Sequence, residues 1–169
     1  FDQLQARAAG RPRAAGNPPF DLSLLTDGLE AEREQGITID VAYRCFATPS
    51  RKFIIADAPG HEQYTRNMVT GASVTAAAGS DAAVVLVDVT KLDTTAAPVV
   101  LLPQTRRHAL LAQLLRVPSI VFAVNKLDAV QDPAQAFKAV AQSLEAFAAA
   151  AGFAAAGIVP VSGLRGDNV

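Results

Sequence analysis

Three apolar runs punctuate the chain, and a polar residue follows each one at once. They are Ala82 to Val87 before Asp88, Ser119 to Val124 before Asn125, and Ile158 to Val161 before Ser162. Unbroken runs of this length suit strands covered on both faces, and therefore a parallel sheet. Between them, Gln104 to Leu115 and Pro133 to Ala151 are helical in composition and rich in alanine. Strand, helix, strand, helix, strand predicts an α/β domain: a mostly parallel sheet with helices on both faces. Two shorter β-type runs come earlier, Ile37 to Thr48 and Lys52 to Ala56, and Pro49-Ser50-Arg51 between them predicts a hairpin.

The connecting segments read differently. His61 to Ala72 is polar, with Tyr64, Met68 and Val69 at helical spacing, and Val74 to Ser80 is a small-residue loop. Lys91 to Pro103, which contains Pro98, reads as a surface insertion between a strand and a helix. Near the start, Phe1 to Ala9 is helical in composition and is broken by Gly10, Pro12, Gly16 and Pro18-Pro19. Phe20 to Glu34 predicts a further helix. Phe1 is no initiator Met and no signal peptide follows it, so the chain reads as a piece that begins mid-protein.

Composition narrows the function classes. Half of the 169 residues are apolar and 18% are charged, which excludes a disordered chain. A formal net charge of -1 gives no electrostatic case for nucleic acid or a membrane surface. The single cysteine, Cys45, excludes an internal disulfide framework and fits a reducing, cytoplasmic setting. No apolar run approaches the length of a membrane span.

Open α/β sheets bind ligands at the carboxyl ends of their strands, and four clusters stand there. Asp57-Ala58-Pro59-Gly60-His61 follows Phe53-Ile54-Ile55-Ala56. An Asp in that place suits Mg²⁺ held through water, and Gly60 lets a backbone N–H approach a terminal phosphate. His61 is placed to orient an attacking water. Asn125-Lys126-Leu127-Asp128 follows the next run. The Asp128 carboxylate can accept the paired N1–H and N2–H of guanine, which adenine lacks, while the Lys126 stem covers the ring face. A polar turn capping the next helix is the plainer reading of the same residues. Ser162-Gly163-Leu164 offers a backbone N–H to guanine O6. Thr38, in Gly36-Ile37-Thr38-Ile39, offers a hydroxyl that ligates Mg²⁺ while a γ-phosphate is present, or simply starts a strand.

The order Thr38, Asp57-Ala58-Pro59-Gly60-His61, Asn125-Lys126-Leu127-Asp128, Ser162-Gly163-Leu164 resembles that of translation-factor-type GTPases. Longer runs resemble one branch, the GTPase large subunit of bacterial ATP sulfurylase (sulfate adenylyltransferase). These runs are Asp27 to Arg44, Arg51 to Asp57, His61 to Met68 and Leu102 to His108. The resemblance implies a P-loop NTPase-like fold and a GTPase that works with a small catalytic subunit. GTP hydrolysis there drives formation of adenosine 5'-phosphosulfate and pyrophosphate from ATP and sulfate. It implies GTP and Mg²⁺ as ligands, with Thr38 and Asp57 on the metal and Gly60 on the γ-phosphate. His61 is then at the water, with Asn125, Lys126, Asp128, Ser162 and Gly163 around guanine.

The chain also departs from that family. It contains no GxxxxGK[ST] phosphate loop, and the strand before that loop is lacking too. The family's β-barrel domains do not follow within the 169 residues, so the chain reads as a partial GTP-binding domain. Val74 to Ser80 and Thr90 to Val100 are longer than the family's connections, and Gly163 stands where alanine is usual. Weak GTP binding by the isolated chain is therefore expected. Two alternatives stand beside the leading reading: a Tu-like or selenocysteine-specific elongation factor that delivers aminoacyl-tRNA, and an α/β remnant without nucleotide affinity.

Overall fold

A computed structural model describes residues 37–74 and 80–169, with backbone alone from 70 to 74. The expected helices over Phe1 to Ala9 and Phe20 to Glu34 lie outside the described residues, as do residues 75–79 of the expected loop. Thr38–Val169 forms one compact unit.

A hairpin comes first: β1 (Ala42–Ala47) pairs antiparallel with β2 (Lys52–Asp57), with Phe46 opposite Phe53 and Ala42 opposite Asp57. The two phenyl rings stack at 4.7 Å, a cross-strand pair of the kind that sets register. Thr48 closes the turn, its backbone N–H donating to the Arg51 carbonyl at 2.8 Å. The strand begins at Ala42 rather than Ile37. Just before it, the Asp40 carboxylate accepts the Val41 N–H at 2.7 Å, a local bond that competes with strand pairing. After β2 come a 3₁₀ turn, Glu62–Tyr64, and helix α1 (Thr65–Val74).

The second sheet is parallel, in the order β3-β4-β5, from strands Ala82–Asp88, Ser119–Asn125 and Gly157–Pro160. Helix α2 (Pro103–Leu114) crosses from β3 to β4, and α3 (Pro133–Ala150) from β4 to β5. Both helices start on proline, where the missing N–H is no loss. Asp132 caps α3 by accepting the Gln135 N–H at 3.0 Å. Both helices also end in paired bonds of the Schellman type. In α3 the left-handed residue is Gly152, φ +80°, with Phe153 N–H bonded to the Ala148 carbonyl. In α2 it is Arg116, φ +58°, with Val117 bonded to Ala112.

The core lies on one face of this sheet. Val85, Val87, Ile120, Phe122 and Val124 meet Ala109 and Ala112 of α2 and Ala136, Val140 and Leu144 of α3. Alanines at the contacts let the helices lie close to the sheet. Phe122 and Leu144, both fully buried, fill the volume, each contributing about 1.5–3 kcal/mol by leaving water. The apolar runs predict burial on both faces. Among the described residues only β4 approaches it, because both described crossover helices pack on the same side. Val84 and Leu86 of β3 stay about two-thirds exposed.

The segment from Lys91 to Pro103 is not merely a surface insertion. Val99 and Leu101 are buried and join the core. The Val99 N–H donates to the buried Ser143 hydroxyl of α3 at 3.0 Å. A polar side chain in the buried stripe of that helix thus has a partner supplied by the insertion.

Candidate functional site

Sheet register aligns the strand ends. Asp88 is the cross-strand partner of Asn125, and Val161 N–H bonds the Val124 carbonyl at 2.9 Å, which brings Ser162 alongside. Three polar strand ends therefore share one edge of the sheet.

The link between the second and third clusters is direct. Asn125 Oδ1 accepts two backbone N–H groups, from Lys126 at 2.8 Å and from Gly163 at 3.0 Å. With its oxygen held inward, the Asn125 amide presents its NH₂ as a donor. The Ser162 hydroxyl donates to Asp128 Oδ1 at 2.5 Å and accepts the Arg165 N–H at 3.1 Å. Ser162 is buried, and its donor fixes the carboxylate while leaving Asp128 lone pairs for a ligand. Asp128 itself sits in a 3₁₀ turn, Leu127–Ala129, anchored by buried Leu127. The loop beyond folds back on itself: Ser162 N–H bonds the Asp167 carbonyl and Gly166 N–H the Ser162 carbonyl. Gly166 has φ +80°, a conformation that suits glycine.

Lys126 departs from the helical side of backbone space, at φ +65°, and its Nζ reaches Asp88 Oδ2 at 2.7 Å. Asp88 Oδ1 accepts both the hydroxyl and the N–H of Thr90, at 2.6 and 3.0 Å. Burial by itself raises the Asp88 pKa. The hydrogen bonds from Lys126 and Thr90, with the lysine charge, outweigh it and hold the carboxyl below its ordinary value. Asp88 is a site residue that motif reading passed over, although it ends an apolar run just as Asn125 does.

The first cluster is built around buried Pro59. Asp57 ends β2, and Gly60 and His61 are exposed beyond it. The loop is held from α2: Arg107 pairs with Glu62 at 2.7 Å, and a Cβ at Gly60 would lie 3.8 Å from His108 Cε1. Thr38 is half-buried on the segment entering β1. Because Ala42 pairs with Asp57, this segment joins the hairpin at the end where Asp57 leaves it. The carbonyl of neighbouring Ile39 accepts Asn67 Nδ2 of α1 at 2.9 Å. The Gly163 N–H, anticipated for guanine O6, is bonded to Asn125 in this structure.

Residues 2–169 match the family described as the elongation factor Tu GTP binding domain. The chain belongs to that family. Among curated relatives, it is 53% identical over 169 residues to the bifunctional enzyme NodQ of Azospirillum brasilense, covering 99% of this chain and 25% of that protein. It is 47% identical over 171 residues to sulfate adenylyltransferase subunit 1 of Sulfurovum sp. (strain NBC37-1), covering 100% of this chain and 33% of that protein. The chain thus spans a quarter to a third of these relatives. Among solved structures, bacterial selenocysteine-specific elongation factor EF-Sec superposes with a TM-score of 0.68 at 26% identity. That match covers 84% of this chain and 22% of that one. The likeness to elongation factors therefore lies in the shared GTP-binding domain, and the identity is higher to NodQ and the sulfate adenylyltransferase subunit than to EF-Sec. Among the described residues, no helix is long and apolar enough to cross a membrane.

Proposed function

We propose that this domain binds GTP with Mg²⁺ and hydrolyses it as the GTPase part of a sulfate adenylyltransferase, working with a small catalytic subunit in the cytoplasm. In that enzyme the hydrolysis drives condensation of ATP and sulfate to adenosine 5'-phosphosulfate. The observation that carries the reading is the pair of hydrogen bonds joining the two guanine-type motifs, Gly163 to Asn125 and Ser162 to Asp128. The relatives near 50% identity that bear the sulfate adenylyltransferase name supply the reaction. Neither nucleic acid nor membrane is a partner in this reading.

Each residue then has a task. Asp128 accepts N1–H and N2–H of guanine, and each such charged hydrogen bond is worth about 1.5–3 kcal/mol against a base that lacks the donor. Asn125 Nδ2 donates to the acceptor edge of the purine, and the Lys126 stem covers the ring. Ser162 holds Asp128, and the Gly163 N–H, beside Asn125 Oδ1, is the donor for guanine O6. Gly60 gives its N–H to the γ-phosphate, and His61 positions the water. The water oxygen bonds to the γ-phosphorus as the bond to the bridging oxygen breaks, leaving GDP and phosphate.

The donors for a metal are Thr38 and Asp57, both oxygen ligands. Among the described residues no three His, Cys, Asp or Glu side chains are grouped to hold an ion. Such a set fits Mg²⁺, which keeps several waters and binds mainly through substrate phosphates, and does not fit zinc. Mg²⁺ neutralises charge on the phosphate oxygens when bound.

The deciding experiment uses the full-length protein with its small subunit. GTP is expected to stimulate adenosine 5'-phosphosulfate formation, and no stimulation overturns the assignment. The 169-residue chain, with no GxxxxGK[ST] loop, is expected to bind GTP weakly by calorimetry. Micromolar affinity would contradict that expectation.

A further inference from the structure

His108 has no task in the scheme above. Its Nε2 is buried and has no hydrogen-bond partner among the described residues. Leaving a polar atom so costs the desolvation of that atom, which an aromatic or aliphatic side chain of similar size avoids. The position is specific. His108 Cε1 lies 3.8 Å from where a Cβ would stand at Gly60, so the imidazole backs the glycine on its Cβ side, and Gly60 is exposed. The preceding Arg107 is paired with Glu62 at 2.7 Å, so two successive residues of α2 hold the loop on either side of His61. Burial first, and the Arg107 charge second, hold the His108 pKa below its ordinary value. The ring is therefore neutral at neutral pH and carries one N–H.

A trans peptide holds its N–H and C=O in opposite directions. Turning the Gly60 N–H toward a phosphate turns the Pro59 carbonyl the other way. We propose that His108 is a positioning residue for the Asp57–His61 loop: its Nε2–H donates to the backbone carbonyl that turns inward when a terminal phosphate draws in the Gly60 N–H, and that bond sets His61 at the water. The inference rests on the reading of Gly60 and His61 given above. The unsatisfied nitrogen is then the mark of one state of a two-state loop, satisfied only while a γ-phosphate is bound.

The test compares His108→Phe, which keeps the bulk and removes the donor, with His108→Gln, which restores a side-chain N–H, both in the full-length protein. His108→Phe is expected to lower kcat for GTP hydrolysis about 10-fold with KM for GTP changed less than about 2-fold. His108→Gln is expected to recover to within about 3-fold of the unsubstituted rate. Equal kcat in all three, or equal loss in both variants, overturns the proposal. Should the phenylalanine variant not fold, the unsubstituted protein labelled with ¹⁵N-histidine decides. A protected His108 Nε2–H signal is expected with a non-hydrolysable GTP analogue and not with GDP, and identical spectra overturn the proposal. If the unsubstituted protein neither binds nor hydrolyses GTP, the assigned function fails and this inference with it. If hydrolysis is present and lost in His61→Ala but untouched in His108→Phe, this inference alone fails.

Discussion

Ser162→Ala isolates the contact that joins the two guanine-type motifs. The substitution removes one donor, the hydroxyl on Asp128 Oδ1 at 2.5 Å, and one acceptor, the oxygen that takes the Arg165 N–H at 3.1 Å. Alanine keeps the backbone bonds to Asp167 and Gly166, so the loop can still close. A hydrogen bond to a charged group contributes about 1.5–3 kcal/mol when both partners are buried. Here only Ser162 is buried, at 3% exposure, and water reaches half-buried Asp128 and replaces part of the loss. A cost of about 1–2 kcal/mol follows, which for a domain of this size lowers Tm by roughly 2–8 °C. The same change frees the Asp128 rotamer, and guanine nucleotide affinity of the full-length protein is expected to fall about 5- to 30-fold. The assay is a thermal melt of the chain with calorimetry of the full-length protein. A double-mutant cycle with Asp128→Asn then assigns the coupling to this pair. Full additivity in that cycle, or an unchanged Kd for the nucleotide in Ser162→Ala, would mean that the Ser162 hydroxyl does not position Asp128 for the base.

Other outcomes follow from the same contacts. Ser143→Ala leaves the Val99 N–H without its buried acceptor and is expected to cost about 1–3 kcal/mol in a denaturant titration, whereas an unchanged midpoint would mean that the insertion is not docked on α3. Leu144→Ala opens a cavity in a fully buried position and is expected to cost about 2–5 kcal/mol by the same measurement. Asp88 has a folded pKa below its ordinary 3.8, so the unfolded chain binds more protons in acid. Its contribution to stability is therefore complete above that value and is lost as pH falls through the folded pKa. In acid melts, Asp88→Asn is expected to flatten the decline that the unsubstituted chain shows below about pH 4, and parallel curves would remove the Lys126 pairing from the account.

The ends of the strands were legible because apolar runs stop on a polar residue, and β3, β4 and the helices α2 and α3 fall within a residue of the pattern. The segments that misled did so for physical reasons. Ile37 to Val41 has β-branched residues, but a one-residue Asp40–Val41 hydrogen bond delays the strand, and periodicity carries no trace of such a bond. Lys91 to Pro103 has prolines and polar residues on one side and Val99-Val100-Leu101-Leu102 on the other. The apolar half was the informative one, and Ser143 in the buried stripe of α3 is its counterpart. Asn125, Asp128, Ser162 and Gly163 could be grouped by motif, but their wiring could not be read from order alone. Nothing in spacing says that the Gly163 N–H binds Asn125, or that the Lys126 ammonium pairs with Asp88.

That wiring makes the site a property of sheet register. Asp88 meets Lys126 because Asp88 and Asn125 are cross-strand partners, and Ser162 meets Asp128 because Val161 continues the β4–β5 pairing. A one-residue slip of β5 would turn its side chains to the opposite face and carry Ser162 about 3.3 Å along the strand, beyond reach of Asp128. Strand β5 has only four residues, and the pairing is carried past both its ends by Ala156 N–H on the Ile120 carbonyl at 2.8 Å and Val161 N–H on the Val124 carbonyl at 2.9 Å. Ile158, packed against the core, adds to that register, and the Asn168 side chain ties the following loop back to the strand end through the Pro160 carbonyl at 2.9 Å. Core packing and ligand geometry are therefore not separable at this strand. Asn168→Ala, which touches none of the proposed ligand contacts, acts on the site only through the loop that carries Ser162 and Gly163.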